Sequence, residues 1–291
     1  MSTLSLNAIA RESGGLAMLA VDQREALRGM LKASRGAAAI TDADMLEFKA
    51  TATRILSPYA SAVLIDREFA LDAVVEQGAI ADNCALIASA DQFHPGNGLP
   101  VDRVTIDDLS TPEHAAELGA KAMKLLVLWR SDEDPAERKA MVDEFVARCH
   151  SANLLAIIEP VVRPPRASAA FDKEASILLA AEELGNTGAD LYKGEMPLGG
   201  KGSDAELLQA CRELDARVTT PWVILSSGVD PDLFPNAVRQ AVTAGAVGFL
   251  AGRAVWSCTL PFADPTNALR DLAVPRLERL GQIVDDALAQ R

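Results

Sequence analysis

The sequence predicts an α/β protein built as a (β/α)8 TIM barrel, with residues 1–291 forming one domain. Three observations carry this expectation. Eight short apolar runs recur along the 291 residues, separated by segments with helical character. The runs are near-continuously apolar, as strands of a parallel sheet buried on both faces must be. Eight such strands alternating with helices in a chain of this length suit one closed barrel. A doubly wound sheet is the competing arrangement, but the first strand–helix turn lacks the GxGxxG fingerprint. No composition shift or linker marks a second domain.

The strand-like runs are residues 16–22, 61–66, 84–89, 123–129, 154–159, 189–195, 221–227 and 247–252. Helices are expected over 42–56, 135–150, 172–184, 203–217 and 230–244. Several of these open on Ser or Asp caps, with Pro135 and Pro231 near first-turn positions. The Pro/Gly-rich piece from His94 to Pro100 reads as a long loop after the third strand.

Hydrophobic content of 49% with aromatics at only 4% implies a core of Ala, Val, Leu and Ile. No apolar run approaches the roughly 20 residues that span a bilayer. Residues 1–11 lack the organisation of a signal peptide, so a cytoplasmic location is expected. A net charge of −13 opposes non-specific binding to nucleic acid or to anionic membranes. An anionic substrate would then need local positive potential from strand-end basic groups and backbone N–H groups.

Cys84, Cys149, Cys211 and Cys258 are far apart, with neither zinc nor disulfide spacing, and read as small buried residues. The adjacent Cys149 and His150 suggest a thiolate–imidazole pair, but neighbours on a helix point about 100° apart. Of the three histidines, His94 falls in the expected loop, and His114 and His150 fall in helical segments. None has a companion at ligand spacing, so no metal site is expected.

In a barrel of this kind the chemistry gathers at the C-terminal strand ends. Those ends read Asp22-Gln23-Arg24, Asp66-Arg67-Glu68, Asp91-Gln92, Trp129-Arg130, Glu159-Pro160, Lys193-Gly194-Glu195, Ser226-Ser227-Gly228 and Gly252-Arg253, with Lys124 inside the fourth strand. Lys193 is the most informative. An ammonium near the end of a buried strand must be paired or must lose charge, and a lysine amine is a competent nucleophile toward a ketone. A snorkelling lysine, or an ion pair with Glu195 or Glu159, is the competing reading.

Lys124 on a nearby inner strand would add a second positive charge close to substrate oxygens. Glu159 and Asp22 are carboxylates positioned to move protons, with salt bridges as their structural alternative. The small-residue turns at Ser226, Ser227 and Gly228, and at Gly252 before Arg253, allow an anion to approach the backbone closely. Phosphate sites after the last two strands are frequent in barrels.

Long segments carry a family resemblance: 13–26 (SGGLAMLAVDQREA), 124–134 (KLLVLWRSDED), 158–165 (IEPVVRPP), 222–229 (WVILSSGV) and 249–256 (FLAGRAVW). On these the chain resembles the class I, Schiff-base aldolases related to tagatose-1,6-bisphosphate aldolase, nearly end to end. The resemblance implies Lys193 as the imine lysine, Glu159 as acid/base, Asp22 with Gln23 as the strand-one pair, and Lys124 as the inner lysine. It implies Ser226, Ser227, Gly228, Gly252 and Arg253 as the phosphate turns, with no cofactor and no metal.

It further implies a place in sulfoquinovose degradation. The substrate would be a phosphorylated sulfosugar, 6-deoxy-6-sulfofructose 1-phosphate, cleaved to dihydroxyacetone phosphate and 3-sulfolactaldehyde. A tagatose or fructose 1,6-bisphosphate is the nearest alternative substrate, and a metabolite-sensing regulatory barrel is an alternative of another class. A homo-oligomer, dimer or tetramer, is expected. Gly194 departs from the pattern, because a bulkier β-branched residue is expected after the imine lysine. Residues 34–40 and those after 264 match poorly and are expected to lie away from the site.

Overall fold

The computed structural model describes residues 4–36, 39–168 and 170–291. Alternation of side chains along each strand decides its architecture. One set of side chains on each strand packs inside the barrel, and the other packs against the surrounding helices.

Eight parallel strands close on themselves: β1 (Leu16–Ala20), β2 (Ala62–Ile65), β3 (Ala85–Ser89), β6 (Ala122–Trp129), β7 (Leu155–Val162), β8 (Leu191–Gly194), β9 (Trp222–Ile224) and β10 (Gly248–Ala251). β10 pairs with β1 to complete the ring. The remaining strands, β4 (Asp91–Gly96) and β5 (Leu99–Ile106), form a separate antiparallel pair. The barrel is therefore the (β/α)8 arrangement expected from the sequence.

The helices are α1 (Glu25–Arg35), α2 (Asp42–Leu56), α3 (Leu71–Glu76), α4 (Pro112–Glu117), α5 (Pro135–Ser151), α6 (Lys173–Leu184), α7 (Asp204–Asp215), α8 (Phe234–Ala244), α9 (Arg253–Trp256), α10 (Thr266–Ala268) and α11 (Val274–Leu288). Their starts follow from sequence. Thr41 with Asp44 and Ser203 with Glu206 form capping boxes, and Asp134 and Asp172 cap α5 and α6. Pro135 opens α5 as expected.

Pro231 does not open a helix. Asp230 caps a turn by accepting from the Asp232 N–H, and α8 begins at Phe234 with Pro235 in its first turn. α11 packs against α8 and β1, and no residue beyond 264 lines the cavity described below. Part of the poorly matching stretch 34–40, residues 37 and 38, lies outside the described residues.

One further expectation is overturned. The segment around His94 is a β-hairpin and not a loop. Asn97 and Gly98 both adopt positive φ, 49° and 73°, the two-residue turn that matches strand twist. His94 bonds Thr105 across the hairpin at 2.8 Å.

Inside the barrel the lower layers are apolar: Leu16, Met18, Leu64, Ile87, Leu155, Ile157, Leu191 and Val223 are buried together. Outward-facing residues such as Leu19, Val63, Leu125, Ile158 and Ile224 form the larger core with the helices. Period-two alternation then dictates what stands above the apolar layers. Lys124 continues the inward row of Ala122, Glu159 that of Leu155 and Ile157, Lys193 that of Leu191, and Asp22 that of Met18 and Ala20. The charged layer is thus a consequence of strand register.

Candidate active site

The β7–β8 register pairs Ile158 with Tyr192, which brings the next residues, Glu159 and Lys193, side by side. Their charged ends meet at 2.8 Å. The second Glu159 oxygen lies 3.1 Å from Lys124 Nζ, which also holds Asp22 at 2.8 Å and Asp91 at 2.7 Å. Asp91 in turn accepts from Arg24 at 2.8 Å and from the Leu126 N–H at 3.1 Å. Arg24 also donates to Ser89 and lies over the Phe93 ring. Three buried cations, Lys124, Lys193 and Arg24, therefore face three buried carboxylates, Asp22, Asp91 and Glu159.

The electrostatics follow from that geometry. Burial favours protonation of Asp22, but the ammoniums of Lys124 and Lys193 outweigh it and hold the carboxyl well below its ordinary range. Burial disfavours the charged form of Lys124, yet Asp22, Asp91 and Glu159 together raise it well above the usual lysine value. Beneath the end of β1, Lys49 pairs with Asp66 and donates to the Val21 carbonyl at 2.8 Å. That contact fixes the backbone that presents Asp22.

Above the charged layer opens a cavity of about 590 Å³. Its wall includes Asp22, Gln23, Glu159, Lys193, Ser226, Ser227, Gly252 and Arg253, so eight of the ten residues singled out from sequence share one space. Two do not reach it. Lys124 is fully buried, its ammonium held by the carboxylates directly beneath the wall. Gly228 is exposed and off the wall. Its φ of +79° makes the turn that swings Ser226 and Ser227 inward.

Gly252 has a different reason to lack a side chain. A Cβ there would lie 2.4 Å from the Ala20 carbonyl oxygen and 2.9 Å from the Gln23 amide nitrogen. Gln23 Oε1 is buried with no donor among the described residues. Gly194 is explained by packing: a Cβ would come within 3.1 Å of the Tyr192 ring and 3.5 Å of Leu214. Glu195 is structural, accepting from the Val162 N–H at 2.8 Å and pairing with Lys173 at 2.7 Å.

Two residues escaped the sequence reading. Asp91 was visible only as one more polar residue after the third strand, and its partners Lys124 and Arg24 come from other strands. Arg163 lines the cavity immediately after β7. Its alternation with Glu159 and Val161 was the available signal. Arg24 lines the cavity while its Nη2 is committed to Asp91 and Ser89, and Lys201 is exposed away from the wall.

None of the three histidines or four cysteines lines the cavity. His150 pairs with Asp190 while Cys149 is buried, so the two side chains point apart as expected for helix neighbours. Burial pushes the Cys84 and Cys211 thiols up to about 12. Among the described residues, no helix is long and apolar enough to cross a membrane.

A strand-end cavity floored by a charged layer in a (β/α)8 barrel defines an enzyme of the barrel class. The comparisons with known proteins make the class specific. A family model described as DeoC/LacD family aldolase matches residues 16–258. The chain belongs to this family; it is an aldolase, and so a lyase.

Among its relatives, a tagatose 1,6-diphosphate aldolase 2 of Streptococcus mutans is 29% identical over 276 residues, covering 86% of this chain and 82% of its own. A tagatose 1,6-diphosphate aldolase of Listeria monocytogenes is 27% identical over 285 residues, covering 87% and 80%. The solved fructose-bisphosphate aldolase of Slackia heliotrinireducens shares the fold with a TM-score of 0.68 at 17% identity, covering 98% of this chain and 87% of that one.

Proposed function

We propose that this chain is a Schiff-base aldolase that cleaves 6-deoxy-6-sulfofructose 1-phosphate, reversibly, to dihydroxyacetone phosphate and 3-sulfolactaldehyde. The observation that carries the aldolase mechanism is the 2.8 Å contact of Lys193 with Glu159 at the floor of the cavity. A carboxylate at that distance can take the lysine's proton and free the amine to attack the C2 carbonyl. Returning the proton to the carbinolamine oxygen expels water and leaves a protonated imine.

The imine draws electrons from the C3–C4 bond as a carboxylate, Glu159 or Asp22, takes the C4 hydroxyl proton. The aldehyde product departs, the enamine is protonated at C3, and water releases dihydroxyacetone phosphate from Lys193. Asp22, held anionic by its neighbours, is suited to accept a proton only transiently. Lys124 remains charged and keeps the carboxylates fixed.

Arg253, Ser226 and Ser227 would receive the phosphate by charge-assisted and hydroxyl hydrogen bonds. Gln23, on the cavity wall beside Gly252, would contact a substrate hydroxyl through its amide. The sulfosugar reading is supported by the long sequence motifs and by a wall with few free basic groups, since a sulfonate carries one charge where a phosphate carries nearly two. The names of the relatives favour a second reading, a tagatose or fructose 1,6-bisphosphate as substrate.

A competition assay decides between them. We expect a higher kcat/KM for the sulfosugar phosphate than for either bisphosphate. Equal or better cleavage of a bisphosphate would retain the mechanism and overturn the sulfosugar assignment. Tight binding of all three with no turnover would overturn the mechanism as well.

A further inference from the structure

Two guanidinium groups of the cavity wall have no carboxylate to balance them. Nearby Arg130, off the wall, is satisfied by Asp102 at 3.3 Å and Glu133 at 3.1 Å. Arg163 and Arg253 both line the cavity, and among the described residues neither forms a salt bridge. The one side-chain hydrogen bond Arg163 makes among them is to the carbonyl of its own neighbour, Val162, at 3.2 Å. The nearest carboxylate influence on it is Glu195, whose oxygens are already taken by the Val162 N–H and Lys173.

A half-buried guanidinium in this position is costly without a counterion. Burial depresses its charged state, Glu195 opposes that effect, and the like charges of Arg130 and Arg253 add to it. A planar fork of donors facing a cavity is suited to an oxyanion. Position separates this residue from the charged layer where the imine would form. Glu159, Val161 and Arg163 share one face of β7 and its extension, so Arg163 stands about 13 Å further along the strand than Glu159 at roughly 3.3 Å per residue. Between them Val161 packs with Phe93 and Val101 of the hairpin, an apolar step suited to carbon atoms.

We propose that Arg163 binds the anionic group at the C6 end of the substrate, the sulfonate or second phosphate, opposite the phosphate held by Arg253, Ser226 and Ser227. This assignment rests on the aldolase reading above. Arg163 is then the residue that makes the enzyme demand a second anion, and the hairpin wall aligns the carbon chain toward it.

The test compares Arg163→Gln and Arg163→Lys with the wild type on 6-deoxy-6-sulfofructose 1-phosphate, fructose 1,6-bisphosphate and fructose 1-phosphate. Thermal unfolding is measured alongside to establish that each variant is folded. Loss of a charge-assisted contact should lower kcat/KM of Arg163→Gln on the two-anion substrates by about 10- to 100-fold, chiefly through KM. Fructose 1-phosphate, with a neutral C6 hydroxyl, should change by less than about threefold, and Arg163→Lys should recover part of the loss, because it keeps charge without the fork.

Equal losses on all three substrates, or no loss on any, would overturn the assignment. If Arg163→Gln is unstable, the same comparison on Arg163→Lys still reads out as a selective rise in KM for two-anion substrates or its absence. Borohydride trapping with dihydroxyacetone phosphate separates the underlying reading, since that ligand lacks the C6 end. A wild type that formed no adduct at Lys193 would overturn the aldolase mechanism itself, whatever Arg163 did.

Discussion

Replacing Lys124 by Met tests the central structural device of the site, the ammonium enclosed by Asp22, Asp91 and Glu159. The substitution keeps bulk and removes one charge. Three buried carboxylates would then share two cations, Lys193 and Arg24. Removing one partner from a buried ion pair costs about 3–5 kcal/mol, because the other charge is left uncompensated. For a domain of this size that is about 6–20 °C in Tm, at roughly 2–4 °C per kcal/mol.

The pH dependence distinguishes this cause from lost packing. In the wild type, Lys124 is raised on folding, so its contribution is complete below the unfolded lysine pKa of about 10.4 and is lost as pH rises through the folded value. Asp22 is lowered, so its contribution is complete above about 3.9 and is lost as pH falls through the folded value. Between those limits the contributions of Lys124 and Asp22 do not change with pH.

In Lys124→Met the surplus negative charge raises a carboxylate above its unfolded value. The penalty is therefore full near pH 8 and relieved as the group is protonated on acidification. Thermal unfolding of both proteins from pH 5 to pH 8 measures this. The Tm deficit should narrow toward pH 5, while Lys139→Met, at an exposed pair with Asp143, should cost less than about 1 kcal/mol throughout. An unchanged Tm for Lys124→Met, or a deficit constant across that range, would refute the electrostatic account.

Two further outcomes follow from the same geometry. Glu159→Gln should lower kcat by about 10²- to 10⁴-fold while the Lys193 adduct remains trappable, because a carboxamide cannot carry the proton; an unchanged kcat would make Glu159 a structural ion-pair residue. Arg253→Ala should raise KM for phosphorylated substrate and weaken dihydroxyacetone phosphate binding with little change in Tm, since Arg253 has no salt bridge among the described residues to lose; a large fall in Tm with unchanged KM would contradict that role.

The barrel was legible because parallel strands buried on both faces leave long apolar runs, and all eight stand out in the sequence. The site was legible to the extent that it lies at strand ends. Lys193, Glu159 and Asp22 interrupt apolar rows, and an interruption of that kind is readable along one strand. Contacts between strands are not readable in that way. Lys124 stood out in β6, but the three carboxylates that turn its ammonium inward come from the ends of β1, β3 and β7. That enclosure beneath the cavity wall could be read only from the folded barrel.

The hairpin was missed for a different reason. Pro95 and Pro100 pointed to irregular chain, yet both stand in a two-stranded pair with free outer edges, where a missing N–H costs little. Asn97-Gly98 was the stronger signal. Gly194 was recognisable as a departure, but its cause, the Tyr192 ring against it, required the packed structure.

The most direct test of the account is where a covalent adduct forms. Wild-type protein incubated with dihydroxyacetone phosphate and reduced with borohydride should gain one reduced adduct, mapped by peptide mass spectrometry to Lys193. Lys193→Met should gain none, and EDTA should leave cleavage activity intact. An adduct on another lysine, or activity abolished by the chelator, would contradict the Schiff-base mechanism.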